Sequence, residues 1–210
     1  MVKKQSNLTA FVLAGGRSSR MGLNKALLEI GGKSLVSRLI EIVYPIFDEV
    51  MISSNEPELY KWTGKRVVKD IITGRGPLGG IHSALQFTKT EKNIFVSCDM
   101  PFISKDVIEF LCEYKFEKAI LIPKADGQIQ QLCGIYSKRI FPEVDSLLKQ
   151  SNQKDSQIKG SIFDLLDRVD CEIIDVSGKN FYHPDLFFNI NTPDDFNYAK
   201  NILKKNENYF

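Results

Sequence analysis

From the N-terminus to about residue 115, short apolar runs alternate with longer segments whose apolar residues recur at helical spacing. Leu8 to Leu13 is a compact apolar run leading into Ala14, Gly15 and Gly16, which predicts a buried strand entering a turn. Leu35, Leu39, Ile42 and Val43 share one helical face, and Pro45 ends that helix because it has no N–H to donate. Val50 to Ser53, Val67-Val68 and Ile94 to Cys98 read as further strands. Helices are predicted around Ile81 to Phe87 and over Val107 to Tyr114, the latter with Ser104 as its N-cap.

Such alternation predicts βαβ units and an α/β fold whose mostly parallel sheet is covered on both faces. Ligands of such sheets bind at the carboxyl ends of the strands, where the strand order reverses. The residues to watch are therefore Ala14-Gly15-Gly16, Ser54-Asn55, Lys69-Asp70 and Asp99-Met100-Pro101. The second half is less regular. Ile120 to Ile122 and Leu132 to Tyr136 suggest strands, Ile162 to Val169 and Phe196 to Leu203 helices, and the polar stretch Gln150 to Gly160 a surface loop. Nothing forces a boundary, so residues 1–210 are expected to form a single domain.

Composition narrows the classes. A net charge of +2 offers no global basic field for nucleic acid, and no apolar run approaches the length of a membrane span. Lys3 and Lys4 before the run at Leu8 imitate a secretory leader, but that run is short and leads straight to Arg17 and Arg20. Cys98, Cys112, Cys133 and Cys171 make no CxxC pair, and His82 and His183 lie far apart, so neither a disulfide framework nor zinc is expected. The setting expected is a reducing cytoplasm.

The densest chemistry lies from Leu13 to Lys25, where a strand runs into paired glycines, hydroxyls and three cations. Glycines let backbone N–H groups converge on phosphate oxygens, and Ser18 and Ser19 add donors. Arg20 and Lys25 supply charge against a triphosphate. Between Ala14 and Arg38 stand five Lys or Arg and one acid, a local excess of +4 against +2 for the chain, so the cations are concentrated here. Asp99 follows a strand and precedes Pro101, and its hard carboxylate suits Mg²⁺ shared with substrate phosphates. Gly32-Lys33-Ser34 imitates a P-loop end, but Leu27 stands where its first glycine belongs. Gly74, Gly76 and Gly79 match GxGxxG after only a very short strand, with Pro77 interrupting them.

Together these segments resemble the molybdenum cofactor guanylyltransferase family, the molybdopterin-guanine dinucleotide synthases. The resemblance rests on Leu13 to Lys25, Gly76-Pro77-Leu78-Gly79-Gly80-Ile81, Cys98-Asp99-Met100-Pro101-Phe102 and Asn189-Ile190-Asn191-Thr192-Pro193. It implies a Rossmann-like three-layer αβα nucleotidyltransferase fold, GTP as donor, Mg²⁺, and molybdenum-bearing molybdopterin as acceptor. It also implies transient contact with molybdoenzyme maturation proteins. Carried over by position, Leu13, Ala14 and Gly15 line the guanine and ribose pocket, Lys25 meets the phosphates, and Asn55 and Asp70 help hold the guanosine, while Gly16 and Arg20 stay with the phosphate-binding reading of the loop itself. Asp99 ligates the metal, and Asn189 and Asn191 lie toward the pterin. The family usually carries Asp before the loop lysine; here it is Asn24. Two other readings stay open: a cytidylyltransferase or sugar-nucleotide pyrophosphorylase, and a non-catalytic nucleotide- or NAD-binding protein using Gly74 to Gly80. Related cytidylyl enzymes usually read Leu-Ala-Ala-Gly, so Gly15 removes a methyl group and makes room for a purine.

Overall fold

Along β1 (Gln5–Leu13) the side chains divide between two cores. Leu8, Ala10 and Val12 join one apolar cluster, while Phe11 and Leu13 join another. Successive strand side chains point to opposite faces, so a strand buried at each of its last six positions must be covered on both. α1 (Leu35–Val43) and α3 (Lys105–Glu113) cover the first face through Val36, Leu39, Val107 and Leu111. α2 (Gly76–Phe87), α4 (Phe141–Ser151) and α5 (Ile162–Leu166) cover the second through Leu78, Ile81, Leu147 and Leu165. This is the expected three-layer α/β arrangement, seen in a computed structural model that describes residues 4–15, 24–151 and 159–205.

The described main sheet has eight strands. In spatial order they are β10 (Cys171–Asp175), β7 (Ile120–Ala125), β9 (Cys133–Ser137), β6 (Lys92–Ser97), β1, β4 (Phe47–Ser53) and β5 (Arg66–Val68), with β8 (Gln128–Ile129) paired to β7. β1 is parallel to both β4 and β6, and β5 and β10 are parallel to their neighbours. β9 runs antiparallel to both β6 and β7, so the sheet is mostly parallel but mixed in its interior. The chain leaves β1 toward β4 and β5, then returns on the other flank as β6. That reversal opens a crevice at the carboxyl ends of β1 and β6.

Register brings three strand ends level, because Leu13 stands opposite both Ser53 and Ser97. The ladders run one residue further: Ala14 N–H donates to Ser53 O at 3.0 Å and Cys98 N–H to Leu13 O at 3.1 Å. A third cluster joins α6 (Pro193–Lys205) to the hairpin of β2 (Glu29–Ile30) and β3 (Lys33–Ser34), through Ala199, Leu203, Ile30, Phe102 and Ile190.

Several elements differ from the periodicity reading. α2 starts at Gly76, five residues before Ile81, because Pro77 suits a helix's first turn, where no N–H partner is needed. Ser104 sits at the N-cap of α3 but its side chain caps nothing. Ser34, in the false P-loop, does cap: its Oγ accepts from Ser37 N–H at 3.3 Å. Gln150 and Ser151 finish α4, while residues 152–158 of the predicted loop lie outside the described residues. No described helix is long and apolar enough to cross a membrane.

Candidate functional site

A cavity of about 350 Å³ opens where the level strand ends meet. Leu13, Ser53 and Ser97 end β1, β4 and β6, and Gly15, Asn55, Asp70 and Asp99 follow β1, β4, β5 and β6 by two residues each. Gly76, Pro77 and Gly80 of α2 form the remaining wall, with Leu132 just before β9. The Arg75 side chain does not cap α2, and Gly76 and Pro77 of its first turn line the cavity, so the positive end of the helix dipole borders this space. Gly80 allows a close approach to β4: a Cβ there would come within 2.6 Å of Ser53 Oγ, so the Ser53 hydroxyl would have to turn away. The second glycine segment thus serves the same cavity as the first rather than a separate dinucleotide fold.

Asn55 and Asp70 form a closed pair across the mouth. Asn55 Nδ2 donates to Asp70 Oδ2 at 2.7 Å, and Asp70 N–H donates to Asn55 Oδ1 at 2.9 Å. Burial pushes the Asp70 carboxyl above the usual carboxylate range, against the Asn55 hydrogen bond and the influence of His82. At the cavity floor, burial also pushes the Asp99 carboxyl up, opposed by the Ser97 hydroxyl and the Lys25 charge. Asp99 Oδ1 is buried with no hydrogen-bond partner among the described residues. A buried carboxylate oxygen without a partner is costly unless something else satisfies it, and a cation shared with ligand phosphates would do so. The described residues hold no cluster of three or more metal-ligating side chains, so such a cation would draw most of its ligands from substrate and water.

Lys25 and Asn191 lie beside the cavity rather than in its wall. Lys25 Nζ donates to Asn191 Oδ1 at 3.0 Å. Asn191 is itself held by Asp195, whose Oδ2 accepts from the backbone N–H groups of Asn191 and Thr192, each at 2.8 Å. Ile190 N–H donates to Asp99 O at 2.9 Å, which ties this segment to the Asp99 turn. Asn189 faces a second cavity of about 420 Å³, lined by Met100, Gln128, Gln130, Gln131 and Phe163 and meeting the first at Leu132.

Most of the sequence candidates therefore converge. Leu13, Gly15, Asn55, Asp70 and Asp99 share one cavity, with Lys25 and Asn191 at its side and Asn189 next door. Ala14 departs from the expectation: its methyl group is buried in the core, and its carbonyl accepts from the Tyr60 hydroxyl at 2.9 Å. Gly16 and Arg20, with the rest of 16–23, lie outside the described residues. Sequence reading assigned no role to Ser53, Ser97, Leu132, Tyr60 or Asp195. A small hydroxyl closing an apolar strand was the available signal for the two serines.

Residues 10–163 match the MobA-like NTP transferase domain. A Clostridium perfringens protein described as a probable molybdenum cofactor guanylyltransferase is 39% identical, the match covering 99% of this chain and 100% of the relative. The solved structure of molybdopterin-guanine dinucleotide biosynthesis protein A from Archaeoglobus fulgidus is 26% identical with a TM-score of 0.76, over 94% of this chain and 99% of that one. The 4-diphosphocytidyl-2C-methyl-D-erythritol synthase of Anaerococcus prevotii superposes with a TM-score of 0.69 over 95% of this chain and 96% of its own, but at 14% identity it shares the fold alone. With residues 10–163 matched by the family model and 99% of the chain by a 39% identical relative, the chain belongs to the MobA-like NTP transferase family.

Proposed function

We propose that the chain transfers GMP from GTP to the terminal phosphate of molybdenum-bearing molybdopterin, with Mg²⁺, and releases pyrophosphate. The observation that carries this reading is one cavity at the sheet's carboxyl edge that joins a glycine-flanked wall, the Asn55–Asp70 pair and the partnerless Asp99 Oδ1. The names of the full-length relatives supply guanine and the pterin. The cytidylyl alternative is supported by fold likeness only.

In this reading an oxygen of the acceptor phosphate attacks the α-phosphorus of GTP. A new P–O–P bond forms, the bond from the α-phosphorus to the bridging oxygen breaks, and pyrophosphate leaves with the electron pair. The nucleophile is already ionised near pH 7, so no general base is needed. Asp99 would hold Mg²⁺, which when bound neutralises charge on the triphosphate. Lys25 adds a fixed positive charge, and the α2 N-terminus receives phosphate oxygens. Asn55 and Asp70 orient the nucleoside. The amide-rich second cavity receives the acceptor, whose heteroaromatic edge both donates and accepts hydrogen bonds as Gln and Asn side chains do. The four described cysteines are free thiols, as suits work in a reducing cytoplasm.

Pyrophosphate release from GTP, CTP and UTP, with and without molybdopterin and Mg²⁺, tests the reading. Release that needs GTP, acceptor and metal together is expected. Equal or faster release from CTP would replace it with a cytidylyl activity.

A further inference from the structure

Ala14 and Asn24 flank the glycine-rich segment, and one side chain bonds to both. Tyr60, fully buried in the turn after β4, donates its hydroxyl to Ala14 O at 2.9 Å and accepts from Asn24 Nδ2 at 3.0 Å. Burial pushes its phenol upward, which keeps it a donor. The second hydrogen on Asn24 Nδ2 goes to Glu56 Oε2 at 3.2 Å, and Asn24 Oδ1 accepts from Ala26 N–H at 3.1 Å, capping the turn that carries Lys25. Only an amide can do all of this at once. An aspartate has no hydrogens to give, and would set a carboxylate oxygen against Glu56 at about the same distance.

We propose that Tyr60, Asn24 and Glu56 are positioning residues that fix Ala14 and Lys25 relative to each other, and that position 24 is an amide because Glu56 supplies the carboxylate instead. This rests on the nucleotide-binding reading, though on neither the base nor the acceptor. The carboxylate of this trio stands one hydrogen bond back from the lysine's neighbour. Tyr60 then couples the start of the cavity wall at Gly15 to the cation beside Asp99.

The test uses the full chain in four forms besides wild type: Asn24→Asp, Glu56→Gln, the double variant, and Tyr60→Phe. Calorimetry with Mg²⁺-GTP and Mg²⁺-CTP gives affinities, steady-state pyrophosphate release gives KM and kcat, and thermal melts report folding. Asn24→Asp is expected to weaken the preferred triphosphate about tenfold, as for a lost hydrogen bond to a charged group. In the double variant the amide introduced by Glu56→Gln donates to the new carboxylate, so affinity returns to within about threefold of wild type. Tyr60→Phe is expected to raise KM more than it lowers kcat, a split that a general loss of fold would not give. If Asn24→Asp alone does not fold, a folded, nucleotide-binding double variant still supports the pairing, and an unfolded one overturns it. Equal affinities in Asn24→Asp and the double variant overturn it too. Coupling seen with CTP and not GTP leaves the positioning trio standing and removes guanine. A wild type that binds neither nucleotide overturns both.

Discussion

A methyl group built on Gly15 meets Ser53 O at 3.7 Å and Ser54 Cα at 3.9 Å, which is ordinary van der Waals contact. The fold accepts alanine there, so the cost of a side chain falls on the ligand. Gly15→Ala should leave stability within about 0.5 kcal/mol of wild type and weaken GTP by about 1–3 kcal/mol, more than CTP. Melting curves and calorimetry check this, and equal losses for the two nucleotides would end the account based on base size. At the cavity floor, Asp99→Asn removes the charge while keeping the shape. Pyrophosphate release should fall roughly 10²-fold, about 3 kcal/mol of transition-state stabilisation. An active variant would take Asp99 out of any metal site. These residues were legible because each is polar or small directly after an apolar run, where the sheet edge must be. Tyr60 was not, since its partners Ala14 and Asn24 stand 46 and 36 positions away and nothing local marks a buried hydroxyl as a link between them.

The start of α6 shows how an element can aim a side chain. Asp195 N–H donates to Thr192 Oγ1 at 3.2 Å while the Asp195 carboxylate takes the Asn191 and Thr192 N–H groups, a reciprocal cap followed by Pro193 at the first helical position. The segment quoted as a family signature is therefore a helix start that presents Asn191 to Lys25. Those backbone hydrogen bonds hold the Asp195 carboxyl below its ordinary value of 3.8. A carboxylate with a lowered value stabilises the fold above its unfolded pKa and loses that contribution as pH falls through the folded one. Asp195→Asn should thus cost about 0.5–1 kcal/mol at pH 7, the low end for a cap because the group is largely solvated. The gap from wild type should narrow as pH falls through the lowered folded value, and melts across pH 2–7 read it directly; a constant gap would deny the carboxylate its role. Other elements left weaker traces. α4 buries only Val144, Leu147 and Leu148 of its eleven residues, and β10 is an edge strand with Ile173 exposed. Asp126-Gly127, both at positive φ (47° and 78°), forms the two-residue hairpin turn from β7 to β8, and β8 is just two residues long.

At the scale of the molecule, the feature the pattern could not convey is the direction of β9. An apolar run of five reads the same whether its neighbours run with it or against it, and the distinction lies in the connection. A parallel return needs a crossover of a dozen residues or more, whereas only the β8 hairpin and Gln130 to Leu132 separate β7 from β9. Running backwards, β9 starts at the edge where β6 ends, with Cys133 opposite Val96 and Leu132 O accepting from Ser97 N–H at 2.9 Å. That is how Leu132 comes to stand between the two cavities. The insertion requires close contact with β7: a Cβ on Gly134 would lie 2.7 Å from Leu121 O and 3.2 Å from Ile122 Cγ1. A backbone carbonyl inside a paired strand cannot rotate away as a side chain can, so β9 itself must shift. Gly134→Ala should therefore cost about 1–3 kcal/mol, as for other overpacked positions, lowering Tm by roughly 2–4 °C for each kcal/mol. Because any shift of β9 carries Leu132 with it, GTP affinity should fall in the same variant although Gly134 lines neither cavity. A Tm loss with unchanged GTP affinity would mean that the strand gives way at Gly134 alone, and that the antiparallel insertion supports the sheet without setting the site.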